Sequence, residues 1–371
     1  MIRRILRDKI AGKLHKGKAI IVLGPRQVGK TTLINSILED REHLFLDGDD
    51  ITVRNLLTNP NTEEIRSIIG NHTILFIDEA QRIENIGLTM KIITDQFKSV
   101  QLLVSGSSAF ELGQRTNEPL TGRKWEYRMY PISWKEFEDD MGFLKSEQQL
   151  EIRLLYGMYP DVINNPGEEI TILKQLTNSF LYKDILSFGG IRKPQVLERL
   201  LRALALQMGN EVSFNELAKL LEVDKNTVTN YIDILEKGFV IFRLSSFSRN
   251  LRNEIKNNQK IYFYDNGVRN SIIGNFNPLD SRNDTGALWE SFLIGERIKK
   301  MDYEDAFVSP YFWRTHQQNE IDYIEEGSGE LRGFEFKWNP RAKARFHKSF
   351  METYNADIKV VHRKNFREFL M

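Results

Sequence analysis

The stretch from Gly24 to Thr32 constrains the fold of this chain more than any other. It matches the pattern GxxxxGK followed by Ser or Thr, and it lies between the apolar run 19–23 and the helically spaced segment 33–38. A strand, a glycine-rich loop and a helix in this order form a site whose backbone N–H groups and helix N-terminus face an anion. We therefore predict an α/β fold with a P-loop core built on a parallel sheet. The residues expected to bind the triphosphate are Gly24, Pro25, Arg26, Gln27, Val28, Gly29, Lys30, Thr31 and Thr32.

Two carboxylates follow a second apolar strand, 74–77, at Asp78 and Glu79. In a phosphate site of this kind Lys30 reaches the β- and γ-phosphates, while Thr31 and Asp78 ligate Mg²⁺. Glu79 then orients the water that attacks the γ-phosphate. The alternatives are a glycine-rich surface turn at the loop and an acidic helix cap at residues 78–79. The complete pattern favours ATP and Mg²⁺.

Two further positions are candidates for catalysis. The apolar strand 101–104 ends in a serine-rich turn, where Ser105 is our first choice to sense the γ-phosphate or the attacking water, although such turns are often only structural. Arg123 directly precedes the alternating segment 124–131, a position from which it can reach a neighbouring subunit's nucleotide. Arg115 is the weaker candidate for that role, and a surface arginine without a catalytic role is the alternative.

These motifs resemble a bacterial and archaeal family of AAA-type ATPases that carries a C-terminal domain of unknown function. The resemblance rests on GPRQVGKTTL at 24–33, ILFIDEAQ at 74–81, SGSSAFEL at 105–112 and LTGR with YPISWKEF at 120–137. It implies a core sheet with an additional strand, a homo-oligomer such as a hexameric ring, and a link to DNA. The family's glycine–arginine pair falls on Gly122 and Arg123.

The length of 371 residues predicts two or three domains by itself, and the motifs divide the chain further. We expect an ATPase core at 1–135, a helical lid at 136–208, a winged helix at 209–265 and a nuclease-like domain at 266–371. The chain has no cysteine, no apolar run near the about 20 residues that span a bilayer, and no signal-peptide core at its start. These features predict a cytoplasmic protein with no membrane partner.

DNA contact is predicted from the segment 213–264. Two short amphipathic helices, with Ser213 and Asp224 as N-caps, precede two apolar strands, which is the order of a winged helix-turn-helix. Because the net charge is only +1, any surface for a polyanion must be local. Local positive charge is supplied by the segment 332–371, which has ten basic against four acidic residues, and by the intervening wing, which carries Arg249, Arg252, Lys256 and Lys260 against Glu254. The expected contacts are Lys225, Asn226, Thr229, Asn230, Arg249 and Arg252, and packing without DNA is the alternative.

A second chemical site is predicted in the C-terminal quarter. Glu290, Asp322, Glu335 and Lys337 follow the order of the PD-(D/E)xK arrangement, which this segment resembles. Glu335 and Lys337 share one face of a strand, since side chains alternate along it. The carboxylates would hold Mg²⁺ near a scissile phosphate while Lys337 stabilises charge. An ordinary charged sheet face and a nuclease-like fold used only for binding stay open.

The function predicted from these motifs is an ATP-hydrolysing, DNA-associated ATPase. It would bind and remodel DNA or translocate on it, with branched or junction DNA as a candidate substrate. One alternative is a nucleotide-regulated, Mg²⁺-dependent nuclease. The other is a switch whose ATP state controls assembly on a protein partner.

Overall fold

The computed structural model describes residues 2–107, 120–178, 193–248, 259–314, 319–342, 350–351, 354 and 356–371. These residues form two compact units. The first comprises residues up to 132 together with Lys237–Phe239, and the second comprises 133–236 with 240–371. Within the described ranges, no helix combines the length and the apolar composition needed to cross a membrane.

The first unit is built on a parallel sheet with the strand order β2-β3-β4-β1-β5. Its central strands are buried on both faces, which explains why they read as continuous apolar runs rather than as alternating patterns. The strands are β1 (Ala19–Leu23), β2 (Leu44–Asp47), β3 (Ile74–Asp78), β4 (Gln101–Gly106) and β5 (Lys124–Arg128), and the helices are α1 (Leu6–Ala11), α2 (Lys30–Leu38), α3 (Ile51–Leu57), α4 (Thr62–Ile69) and α5 (Ile86–Gln96).

The predicted α/β class with a parallel P-loop sheet is confirmed, and one strand differs from the prediction. The segment 44–46 reads as a short buried strand, but β2 is an edge strand that pairs only with β3 among the described strands. Phe45 is accordingly 45% exposed. An apolar triplet does not reveal whether a strand has one neighbour or two, because that depends on pairing with distant segments.

The second unit begins with helices and continues into a mixed sheet with the order β12-β11-β10-β9-β7-β8-β6. Its helices are α6 (Trp134–Met141), α7 (Phe143–Tyr156), α8 (Pro160–Asn164), α9 (Glu169–Leu176), α10 (Pro194–Leu206), α11 (Phe214–Leu221), α12 (Lys225–Lys237), α13 (Asn266–Ile273), α14 (Thr285–Tyr303) and α15 (Phe366–Leu370). Its strands are β6 (Glu211–Val212), β7 (Ile241–Ser246), β8 (Gln259–Phe263), β9 (Ser309–Arg314), β10 (Glu320–Gly327), β11 (Glu330–Lys337) and β12 (Asp357–His362).

The predicted boundary at residue 265 lies inside a continuous structure. β7 pairs with β8 in an antiparallel hairpin and with β9 in a parallel register, so the sheet passes without a break from the hairpin to the C-terminal strands. The aromatic core also joins the ends of this unit: the ring of Trp134 lies 5.8 Å from that of Phe292 and 5.4 Å from that of Phe366. The segment after 132 therefore shares its core with the C-terminal quarter.

Buried ion pairs fix the helices of the second unit to each other. The buried guanidinium of Arg269 donates to the carbonyl of Ala205 at 2.8 Å and to Asp284 Oδ2 at 2.5 Å. Arg282 donates to both oxygens of Asp284, at 2.7 and 2.8 Å. Burial alone would raise the pKa of Asp284, but the two arginines lower it to about 2. The ionised carboxylate therefore holds α10, α13 and the start of α14 together.

Asp284→Asn is expected to remove a contribution to stability that depends on pH. Because the folded pKa lies below the ordinary value, the contribution is complete above about pH 4 and is lost as the pH falls through about 2. Solvent screening at this partly exposed side chain leaves about 1–2 kcal/mol for the pH-dependent part. Urea unfolding of both proteins from pH 7 to pH 2 measures it. A difference in unfolding free energy that stays constant over this range would contradict the assignment.

Gly24→Ala is expected to destabilise the first unit. A Cβ at Gly24 would lie 2.1 Å from the carbonyl oxygen of Met129, so the backbone of one segment has to move. Such overpacking costs about 1–3 kcal/mol, or roughly 2–10 °C in the thermal midpoint. Gly286→Ala is the matched control, since nothing lies within 4 Å of its added Cβ. Equal midpoints for the two variants would show that the loop tolerates the displacement.

Candidate functional site

The predicted phosphate loop leaves the carboxyl end of β1 and enters α2, as the pattern requires. Gly29 has a φ of 92° at the helix start, a left-handed conformation in which glycine carries no steric penalty. Lys30 is buried, and its ammonium donates to the carbonyls of Gly24 at 3.0 Å and Pro25 at 2.9 Å. These contacts hold the ammonium of Lys30 against the backbone of the predicted phosphate loop.

The two residues predicted to ligate magnesium are in direct contact. Thr31 Oγ1 donates to Asp78 Oδ2 at 2.7 Å, although the residues lie 47 positions apart. The other carboxylate oxygen accepts from the hydroxyl of Ser105 and from the N–H of Glu79 at 3.1 Å. A hydroxyl and a carboxylate fit Mg²⁺, which prefers oxygen ligands and usually shares them with substrate phosphates. Ser105 is fully buried, so in this structure it orients Asp78.

Glu79 lies at the end of β3 with its carboxylate held by a residue that the sequence did not single out. Its backbone has a φ of 47°, and its side chain makes no cap hydrogen bond to the short helix that follows. Instead, the amide Nε2 of Gln81 donates to Glu79 Oε2 and to Ser107 Oγ at 2.8 Å. The acidic-cap interpretation of residues 78–79 therefore does not describe Glu79.

Arg4 braces the loop from the N-terminal segment. Its buried guanidinium donates to the carbonyl of Val28 at 2.8 Å and to that of Tyr130 at 2.6 Å. It thereby joins the phosphate loop to the segment that follows β5. Nothing in the local sequence around Arg4 indicates this contact, because both acceptors are backbone carbonyls.

Arg123 lies at the amino ends of the parallel strands, whereas the phosphate loop follows the carboxyl end of β1. Its carbonyl accepts from the N–H of Ala19, the first residue of β1, whereas the loop follows the last. The five residues of β1, at about 3.3 Å each, separate these two ends by about 16 Å. The Arg123 guanidinium donates to Asp95 Oδ1 at 2.6 Å and is partly exposed. Arg115 lies outside the described residues.

The predicted DNA-contact helix is α12. Asp224 caps it by accepting from the N–H of Thr227 at 2.9 Å, as predicted, and the hydroxyl of Thr227 lowers the pKa of this carboxyl. Ser213 accepts from the N–H of Glu216 at 3.4 Å and caps the preceding helix, α11. At the start of α12, Lys225, Asn226 and Asn230 are exposed and Thr229 is partly buried. Arg249 and Arg252 lie outside the described residues.

A buried lysine lies among the carboxylates of the C-terminal site. Lys260, on β8, is 1% exposed, and its ammonium contacts Glu290 at 3.0 Å and Glu320 at 2.5 Å. Burial alone would lower its pKa, but these carboxylates raise it above the ordinary value. Burial and Glu290, which also accepts from the hydroxyl of Tyr262, raise the pKa of that tyrosine. Lys260 is therefore not part of an exposed basic wing, where its position in the sequence had suggested it.

Asp322, Glu335 and Lys337 lie next to this ion cluster. Phe336 N donates to Asp322 Oδ2 at 2.7 Å, and Lys337 Nζ contacts Glu335 Oε1 at 2.6 Å. Burial, Glu290 and Glu335 raise the pKa of Asp322 well above its ordinary value, which favours the protonated carboxyl. Among the described residues, no group of three acidic, histidine or cysteine side chains has an arrangement that could hold a metal ion. The predicted nuclease residues thus lie close together, with lysines balancing their charge.

Sequence reasoning missed three residues of these sites. Gln81 belongs to the quoted segment 74–81, so its position two residues after Glu79 was a usable signal. Lys260 was counted with the basic wing, and its burial depends on carboxylates from α14 and β10. No sequence pattern indicated the role of Arg4, since the acceptors of its hydrogen bonds are backbone carbonyls far away in the sequence.

Comparison with known families covers most of the chain in three parts. Residues 16–138 match an AAA domain. Residues 147–279 match a domain of unknown function (DUF8612), and residues 285–368 match a second one (DUF4143).

Individual relatives extend over both units. An uncharacterized protein of Mycobacterium tuberculosis is 26% identical over 342 residues, covering 90% of this chain and 74% of that protein. An uncharacterized protein of Methanocaldococcus jannaschii is 22% identical and covers 96% of this chain and 85% of its own length. Among solved structures, the Walker-type ATPase of Pyrococcus abyssi superposes with a TM-score of 0.51 at 16% identity, over 73% of this chain and 96% of that one.

The parallel order of the core sheet and the paired Thr31 and Asp78 agree with these matches. The family resemblance inferred from the motifs is confirmed. The chain contains an AAA domain with a P-loop at residues 16–138 and a C-terminal domain of unknown function at residues 285–368, and its fold is similar to that of a Walker-type ATPase.

Proposed function

We propose that this ATPase hydrolyses ATP with Mg²⁺ and couples the hydrolysis to binding and remodelling of DNA, or to movement along it, as a homo-oligomer. The observation that carries the ATP chemistry is the hydrogen bond between Thr31 and Asp78. It brings the end of the phosphate loop and the carboxyl end of β3 to one point. Lys30 then neutralises the β- and γ-phosphates, Thr31 and Asp78 hold the metal, and Glu79 orients the attacking water.

The DNA part of the proposal is supported by the elements around α12. β6, α11, α12 and the β7–β8 hairpin follow each other in the order of a winged helix-turn-helix. The start of α12 presents one ammonium and two amides to solvent, from Lys225, Asn226 and Asn230. Such groups contact phosphates and base edges when a recognition helix enters the major groove. Branched or junction DNA is the substrate we propose to test first.

Lys225→Ala is expected to weaken DNA binding through the loss of one phosphate contact. The slope of log K against log salt should fall by about 0.9, and the affinity should drop severalfold. Lys174→Ala, an exposed lysine on α9, is the matched control and should change neither quantity. Fluorescence anisotropy with duplex, forked and four-way DNA over a salt series measures both.

The same DNA forms are added to ATPase assays of the unmodified chain, with Lys30→Ala as the inactive control. We expect stimulation of hydrolysis by at least one form. Hydrolysis without stimulation, together with the absence of salt-sensitive binding, would reject the DNA proposal. ATP-dependent changes in oligomer size under those conditions would favour the protein-assembly switch instead.

The oligomer part of the proposal is supported by the position of Arg123. Its distance from the phosphate loop of its own chain leaves the nucleotide of a second copy as its target. In that position the guanidinium stabilises negative charge on the transferring phosphoryl group. The ion pair with Asp95 holds the arginine at the edge of the sheet until such a contact forms.

Arg123→Ala is expected to lower ATP turnover by about 10³-fold or more in the oligomer. Mixing Arg123→Ala with Glu79→Gln subunits should restore part of the activity, because an intact Glu79 then meets an intact Arg123 across some interfaces. Lys124→Ala, at the adjacent position, is the control and should retain turnover. Two inactive variants that stay inactive when mixed, although co-purification of differently tagged subunits shows mixed oligomers, would contradict action in trans.

A further inference from the structure

A chain of hydrogen bonds links the turn after β4 to the carboxylate of Glu79. Ser107 N donates to Gln81 Oε1 at 3.3 Å, and Gln81 Nε2 donates to Ser107 Oγ at 2.8 Å and to Glu79 Oε2. Gln81 and Ser107 are each 6% exposed. The amide is therefore held by two atoms of Ser107 on one side and contacts the carboxylate of Glu79 on the other.

The directions of these bonds follow from the donors available. The backbone N–H of Ser107 requires an acceptor, so it fixes Gln81 Oε1 towards Ser107. Both hydrogens of Nε2 are then used, one on Glu79 and one on Ser107 Oγ. The Ser107 hydroxyl is an acceptor in this contact, and within the described part of the chain no acceptor is found for its own hydrogen, which it can donate to a further oxygen.

The position of Ser107 in the sheet suggests which group can accept this hydrogen bond. β4 lies between β1, which leads into the phosphate loop, and β3, which ends at Asp78. Gly24 N donates to the carbonyl of Gly106 at 3.3 Å, so the residue before Ser107 contacts the first residue of the loop. Ser107 therefore directly follows a residue that contacts the phosphate loop, and it is linked to Glu79 through Gln81.

We propose that Gln81 is a positioning residue that couples γ-phosphate recognition by Ser107 to the orientation of Glu79. The proposal rests on the ATP hydrolysis proposed above. When Ser107 donates to a γ-phosphate oxygen, its acceptor side is directed at Gln81, and the amide holds Glu79 towards the attacking water. A diphosphate offers no such oxygen. The chain thus distinguishes ATP from ADP at the residue that activates water.

The test uses Gln81→Met, which keeps the side-chain length and removes both donors, together with Ser107→Ala and the conservative Ser107→Thr. We expect Gln81→Met to lower kcat by about tenfold or more with little change in KM for ATP, and Ser107→Ala to lower kcat by a similar factor while also weakening ATP binding. Ser107→Thr should retain most of the activity. The double variant should be no slower than the slower single variant, because Ser107 acts through Gln81.

A second background separates positioning from stability. In Glu79→Gln, whose amide cannot act as a base, adding Gln81→Met should leave the residual rate unchanged. Calorimetry adds a readout that does not require turnover. Ser107→Ala should reduce the preference for ATP over ADP, while Ser105→Ala should change how strongly nucleotide binding depends on Mg²⁺.

Three outcomes would overturn the inference: additive effects of Gln81→Met and Ser107→Ala, an equal loss in the Glu79→Gln background, or an unchanged ATP-to-ADP affinity ratio in Ser107→Ala. Each of them leaves ATP hydrolysis by the unmodified chain intact. If calorimetry detects no binding of ATP with Mg²⁺ to the unmodified chain, the proposed function and this inference fall together.

Discussion

The carboxylate of Asp78 accepts hydrogen bonds from two other elements of the first unit, and the candidate phosphate site depends on this arrangement. Thr31 approaches from the helix after β1, and Ser105 from β4. A buried carboxylate is costly unless such donors surround it. The hydroxyls of Thr31 and Ser105 offset the free-energy cost of burying the Asp78 carboxylate. The same two hydrogen bonds position this candidate metal ligand beside the phosphate loop, so folding and the proposed chemistry require the same geometry.

The parts of this site that were predictable are those encoded locally. The strand, loop and helix of residues 19–38 are contiguous, and the carboxyl ends of parallel strands meet at one edge of a sheet. Asp78 could therefore be assigned to the phosphate site before its neighbours were known. Arg4 could not, because it contacts the carbonyl of Tyr130, 126 positions away. The different contacts of Ser105, which donates to Asp78, and Ser107, which contacts Gln81, were not predictable either, since the sequence places both in one serine-rich segment.

Charge counted along the chain was misleading in the second unit. Lys260 reads as part of a basic wing, but a strand turns alternate side chains to opposite faces, and β8 lies between β7 and β6. The ammonium consequently meets Glu290 and Glu320 in a nearly dry environment. An unpaired ammonium there would be costly, so these carboxylates are needed for folding. The PD-(D/E)xK order in the sequence describes which acidic groups assemble, but not the cation that accompanies them.

The geometry of β1 limits how a complete catalytic site can be assembled. The phosphate loop leaves one end of this strand, whereas the carbonyl of Arg123 accepts a hydrogen bond from the residue at the other end, Ala19. If Arg123 acts on the nucleotide of a second copy, the amino ends of the strands in one copy must face the carboxyl ends of the strands in the other. In an isologous dimer such a contact would occur twice, and a heterologous contact would repeat into a ring or a filament. An Arg123 that acts in trans therefore requires at least two copies, which is the assembly proposed for hydrolysis.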